Sequence, residues 1–164
     1  MATASWRSRV VEVREVHEAD LPRLREIFLR SRRETFHWND PAIYRPEDFD
    51  AQTEGERMLV GEVDGQVAGF ISWWAPENFV HHLYIDAAFK RRGLGRALLD
   101  ACLQRIGRPA QLKCVSRNTP ALAFYHALGW KSVATGCSDE GEYQLLQLSD
   151  GDHAGFRINP GHPV

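Results

Sequence analysis

Residues 89–102 read FKRRGLGRALLDAC: the cations Lys90, Arg91 and Arg92, then Gly93 and Gly95 around Leu94, then Arg96 and an unbroken run of helix formers. That order makes a site for a polyanion. A helix N-terminus carries unsatisfied N–H groups and roughly half a positive charge, so glycines just before it and cations around it suit a diphosphate. A Walker loop needs G-x-x-x-x-G-K-[ST] and a dinucleotide fingerprint needs G-x-G-x-x-G. Gly93 to Leu98 lacks both the Lys-Ser/Thr pair and the third glycine, which weakens both readings. Taken alone, the cations fit a solvated helix face equally well.

Two other groups of residues could carry chemistry. His81 and His82 lie on one strand just before this loop, and strand alternation sends them to opposite faces, His81 with Leu83 and Ile85. Most strand histidines are packing or solvent residues, so the pair by itself assigns nothing. Tyr125 sits on a short helix one turn from Ala121 and Leu128, where a core aromatic is the plainest reading. His81, His82, Cys102 and Cys114 show no recognisable metal-ligand spacing, and no metal is expected.

These residues need elements to position them. Val10 or Val11 alternates with charged neighbours in RVVEVREV (9–16) as a first strand, and residues 17–36 take helical spacing through Leu21, Leu24, Ile27 and Phe28. Residues 37–56 are rich in proline and acid, giving a loop with a short helix from about Pro46. Asp64-Gly65 between two β-rich runs predicts a hairpin with a type I′ turn, and 78–86 is a third strand entering the basic loop. Leu94, Leu98, Cys102 and Ile106 form an apolar stripe that packs on a sheet. A strand over 110–116, a helix over 118–130 with Pro120 at its start and Gly129 at its end, and a final strand pair complete the pattern. The order predicts a mixed α/β or α+β sheet with helices on its faces. Residues 150–164 lack periodicity and read as a C-terminal extension.

The totals bound the function. A length of 164 residues and 43% hydrophobic content predict one domain, 1–164, with a sizeable core. With 20 basic against 22 acidic residues the net charge is −2, so the cations at 90–96 are a local feature and no nucleic-acid partner is expected. Three widely spaced cysteines without C-x-x-C fit a reducing cytoplasm. No apolar run approaches the ~20 residues of a membrane span, so no membrane partner is expected either.

The segment R-R-G-x-G-R-A-L-L after a strand ending LYID resembles the acetyl-CoA pyrophosphate loop of the GNAT (general control N-acetyltransferase) superfamily. NTPALAFYHALGW (118–130) resembles the family's N-x-x-A-x-x-F-Y-x-x-x-G-[FW], with Asn118, Ala121, Phe124, Tyr125, Gly129 and Trp130 in place. VAGFISWW is similar to the strand that precedes the cofactor strand. The resemblance is close over about 57–148 and extends to the earlier elements in order only. One departure is Lys90, where the family usually has Gln or Arg; lysine keeps the charge and loses the planar fork.

The resemblance implies a central, mostly antiparallel sheet of six to seven strands with about four helices, splayed at the cofactor strand where acetyl-CoA lies. It implies that N–H groups of Arg91 to Arg96 hold the diphosphate with Lys90, that Leu83, Tyr84 and Ile85 pair with the pantetheine arm, and that Asn118 completes the cofactor site. It implies that the Tyr125 hydroxyl faces the cofactor sulfur. At the offset of His81, some members carry a histidine that relays the amine's proton, with His82 and Glu77 as reserves here. The family's acceptor wall maps to RRETFHWNDPAIYRPEDF, whose Phe36, Trp38 and Tyr44 could hold an apolar or aromatic amine. The activity implied is N-acetyl transfer from acetyl-CoA to a primary amine, of a small molecule or a peptide, by direct attack in a ternary complex. A silent acyl-CoA sensor of the same fold is the alternative, and a homodimer stays open.

Overall fold

The computed structural model describes residues 10–150. Seven strands form one sheet in the order β1-β2-β3-β4-β5-β7-β6. They are β1 (Val11–Glu15), β2 (Arg57–Val63), β3 (Gln66–Trp74), β4 (Phe79–Ile85), β5 (Ala110–Val115), β6 (Lys131–Ser138) and β7 (Gly141–Leu148). Four helices flank it: α1 (Leu21–Thr35), α2 (Asp48–Thr53), α3 (Leu94–Leu103) and α4 (Thr119–Ala127). The β2–β3 turn has Asp64 at φ 51° and Gly65 at φ 81°, the two left-handed residues that a type I′ hairpin requires. The predicted C-terminal extension, apart from Asp150, lies outside the described residues.

The two faces of the sheet are read by alternation along β2 and β3. Leu59, Val63, Ala68 and Ile71 pack with Leu94, Leu98, Leu99 and Cys102 of α3. Val60 and Phe70 pack on the other face with Leu24, Ile27 and Phe28 of α1 and Phe49 of α2. Burial on both faces explains why these strands read as nearly continuous apolar runs. Gly61 brings α3 close to the sheet, since a Cβ there would lie 2.4 Å from Leu94 Cδ1 at the head of the helix. On β1, Arg14 bonds Asp20 at 2.8 and 2.9 Å and Glu62 at 3.0 Å, joining the first strand to the entrance of α1. The guanidinium holds the Asp20 carboxyl down at about 2.

Two irregularities matter for function. First, among the described residues, β4 and β5 are the one parallel pair and join only at Phe79–Gln111 and Val80–Leu112. Beyond Val80 the pairing stops, so the far edge of β4 over 81–85 has no strand partner among the described residues. Second, Ser72 pairs with His82 while Trp73 pairs with Val80, leaving His81 as the extra residue of a β-bulge. The expectation that His81 and His82 point to opposite faces therefore fails. Their rings stack, with centroids 3.8 Å apart and planes at 30°. The bulge breaks the two-residue period on which the expectation rested.

Candidate active site

The loop from β4 to α3 folds as its sequence requires. Arg91 and Gly93 both have left-handed backbone, φ 65° and 80°, which curls the chain into a concave turn able to face an anion. Gly93 is the N-cap of α3 and offers no side-chain cap, so the first N–H groups of the helix are left for a ligand. At Gly95 the conformation is ordinary, and a Cβ would approach nothing closer than Ile85 Cγ1 and Phe124 Cζ at 3.9 Å. The protein does not need glycine there for its own packing. Its missing side chain instead opens toward the adjacent cavity.

That cavity, about 520 Å³, is lined by Leu83 to Ile85, by Lys90 and Arg91, by Gly93 to Arg96, and by Asn118 and Tyr125. It thus gathers every residue expected at the cofactor except Arg92, which is half-buried behind the loop with its Nε unpartnered among the described residues. The free edge of β4 lies along it, with alternate backbone groups facing the split. Asn118 caps α4, its side chain accepting from Ala121 N at 3.4 Å.

A second cavity, about 330 Å³, adjoins the first. The two share Leu83, Tyr84, Asn118, Ala121 and Tyr125, so they meet through the sheet. Phe36, Phe79, His81, His82, Lys113 and Tyr143 line the second cavity, together with Cys114 and Glu140. Lys113 Nζ sits 4.9 Å from the ring centre of Tyr143 and 5.9 Å from that of Phe79, a cation held between two aromatics at the wall.

Tyr125 stands where the cavities join. Its ring stacks on Phe124 at 5.1 Å and meets Trp130 edge-on at 5.9 Å, and its hydroxyl makes no hydrogen bond among the described residues. Burial, with Cys114 and Tyr84 nearby, pushes the phenol well above its ordinary pKa, so it remains a proton donor at neutral pH. Burial also pushes the Cys114 thiol up to about 11.

The histidines have unequal surroundings. His81 is exposed and its Nδ1 lies 2.6 Å from Glu56 Oε2, while Glu56 Oε1 accepts from Ser72 Oγ at 2.8 Å. A carboxylate only accepts, so the proton resides on Nδ1 and the neutral ring keeps a lone pair on Nε2. His82 is buried against Phe28, and burial, then the neighbouring charges of His81 and Arg32, hold it well below the usual histidine range. Glu56 was not legible as a site residue, because it reaches His81 from the residue before β2. Glu77 is exposed on the turn Ala75–Glu77 and lines neither cavity.

Of the three aromatics expected at the acceptor wall, only Phe36 lines the second cavity. Tyr44 is 1% exposed and packs with Phe36 and Val115, its hydroxyl bonded by Asn39 at 3.0 Å. Trp38 is half-buried outside both cavities, with Arg117 over its ring at 4.5 Å. Buried Arg32 draws Tyr44 inward, lying 4.5 Å from its ring while pairing with Asp48 at 3.0 Å. Tyr44 and Trp38 therefore do not line the second cavity, whose lining comes mainly from β4, β5 and the β6–β7 hairpin.

A sheet split beside a glycine-rich helix start is the architecture of an acyl-CoA-dependent transferase, and the comparisons agree. The profile described as "Acetyltransferase (GNAT) family" matches residues 21–130, and the chain belongs to this family, whose acetyl donor is acetyl-CoA. It is 30% identical over 135 residues to the peptidyl-lysine N-acetyltransferase YiaC of Escherichia coli (strain K12), covering 78% of this chain and 88% of the relative. It is 28% identical over 138 residues to the L-methionine sulfoximine/L-methionine sulfone acetyltransferase of Salmonella typhimurium (strain LT2), covering 74% and 81%. Among solved structures, yncA of Salmonella typhimurium with acetyl-CoA superposes with a TM-score of 0.63 at 24% identity, covering 88% of this chain and 96% of that one. No helix among the described residues is long and apolar enough to cross a membrane.

Proposed function

We propose that the chain transfers acetyl from acetyl-CoA to a primary amine by direct attack within a ternary complex. The meeting of the two cavities at Tyr125 carries this reading. Acetyl-CoA fills the first, its diphosphate on the head of α3 and its pantetheine amides along the free edge of β4 in the manner of an added strand. The acceptor enters from the second, so its nitrogen meets the thioester carbonyl through the split. Holding both reactants in line removes much of the entropic barrier, and a β4 N–H near Leu83 would bond the developing oxyanion. The two relatives are named for peptidyl-lysine and for L-methionine sulfoximine or sulfone, which share a primary amine.

Protons then have two assignments. His81 takes the amine's proton on Nε2, directly or through one water, while Glu56 steadies the imidazolium that forms. Tyr125 donates a hydrogen bond to the leaving sulfur. An acyl-enzyme is disfavoured, since Cys114 is the cysteine on the cavity walls and a thiol near 11 is ionised at pH 7 only to about one part in 10⁴. The test is a panel of amines assayed for free thiol release, with peptide lysines, amino acids and small aromatic amines as arms. Acetyl-CoA binding with no thiol released on any amine would refute turnover and leave a sensor.

A further inference from the structure

The ligand-capable atoms of Glu56, His81 and His82 all lie within 4.8 Å of one another, and His81 and His82 line the second cavity. Sequence spacing does not reveal this group, because Glu56 is 25 residues from His81 and the bulge alone brings the two rings together. Its members are also unlike an open surface cluster. The Glu56 side chain is only 6% exposed and fixed by Ser72, whereas the His81 side chain is 40% exposed. His82 is 6% exposed overall, and its buried Nε2 has no hydrogen-bond partner among the described residues. A polar atom left so costs on the order of 1–3 kcal/mol, and the few buried groups that tolerate it call for an explanation.

We propose that Glu56, His81 and His82 form a site for a zinc-class divalent ion, which enters between Glu56 Oε2 and His81 Nδ1 and switches the acceptor side off. Two imidazoles and a carboxylate suit Zn²⁺, with the fourth position open to water. Bonds of about 2.0–2.2 Å place tetrahedral ligand atoms roughly 3.3 Å apart, so the cluster must tighten by at most about 1.5 Å. His81, exposed on a bulge, supplies that movement, and the Glu56–His81 pair at 2.6 Å opens by roughly 0.7 Å to admit the ion. The ion occupies the place of the Nδ1 proton. In the neutral ring that proton moves to Nε2, whose lone pair is then no longer available to take the amine's proton. The acceptor for catalysis is then gone. The switching half of the proposal rests on His81 as proton acceptor, whereas the binding half does not.

The untagged full-length protein, freed of metal by a chelator, is titrated with ZnCl₂ by calorimetry and with CoCl₂ by visible absorption. One ion per chain at micromolar affinity or tighter is expected, with a ligand-field band for Co²⁺ typical of tetrahedral coordination. Glu56→Gln and His81→Ala should each weaken Zn²⁺ binding at least tenfold, and unchanged acetyl-CoA affinity in both shows that they are folded. Zinc affinity unaltered in both variants overturns the site, as does the absence of binding to the wild-type chain. With an amine that is turned over, Zn²⁺ should inhibit and a chelator should restore the rate. Binding that the variants abolish, without inhibition, upholds the site and refutes the proton role of His81 instead.

Discussion

Replacing Gly95 should move fold stability and cofactor affinity in opposite directions. Glycine within a helix costs roughly 0.5–1 kcal/mol relative to alanine, and at Gly95 the new Cβ finds its nearest protein atoms at an ordinary 3.9 Å. Gly95→Ala should therefore raise the melting temperature of the ligand-free protein by about 1–4 °C for a chain of this size. The same Cβ projects toward the cavity proposed to hold the diphosphate. Gly95→Val, with two more methyl groups, should raise the acetyl-CoA dissociation constant at least tenfold, or about 1.4 kcal/mol. Gly93 is the counter-test: its Cβ meets nothing within 4 Å, but φ of 80° makes Gly93→Ala cost about 1–2 kcal/mol of stability. Thermal melts without ligand and calorimetric titration with acetyl-CoA read the two quantities separately. An unchanged dissociation constant in folded Gly95→Val protein would refute the placement of the diphosphate.

Tyr125→Phe keeps the ring and removes the donor, so turnover should fall on the order of 10²-fold with acetyl-CoA affinity changed less than threefold. Near-wild-type turnover in a steady-state assay returns Tyr125 to a packing role. A lysine-type amine near pKa 10.4 costs about 4.6 kcal/mol to deprotonate at pH 7, so His81→Ala should lose most turnover at low pH and less as pH rises toward the amine's own pKa. A loss that is uniform from pH 6 to 9 makes His81 structural. Asp20 is depressed from 3.8 to about 2 in the folded chain, so its contribution is complete above about pH 4 and is lost as pH falls through about 2. That shift corresponds to about 2 kcal/mol. Asp20→Asn should cost roughly this much in urea unfolding at pH 7 and nearly nothing near pH 2; an equal cost at both assigns the loss to packing.

Local signals made the cofactor side legible. The cations, Gly93, Gly95 and the stripe from Leu94 to Ile106 lie within one turn-and-helix unit, where backbone rules act over a few residues, and the succession of elements along the chain followed from alternation and turn chemistry, whereas the swap of β6 and β7 in the sheet did not. The acceptor side was less legible because it is assembled from distant segments. Lys113 and Tyr143 meet only through the β5–β7 ladder, and Glu56 meets His81 across β3. Tyr44 looked like a wall residue because nothing local announces that buried Arg32 anchors it inward. The bulge at His81 carries no glycine or proline to signal it, and it alone reverses the expected facing of the two histidines.

Among the described residues, two ladder pairs join the four-strand half of the sheet to the three-strand half. Backbone pairing across this seam is confined to Phe79 and Val80, while the apolar core under α3 runs on from β2 and β3 to β5 and β7. A ligand bonded along the edge of β4 acts as an eighth, non-peptide strand that bridges the seam. Cofactor occupancy is then cohesion as well as chemistry: at a hundred times its dissociation constant it adds about 2.7 kcal/mol to global stability. Amide exchange should register the gain most strongly along the facing edges of β4 and β5.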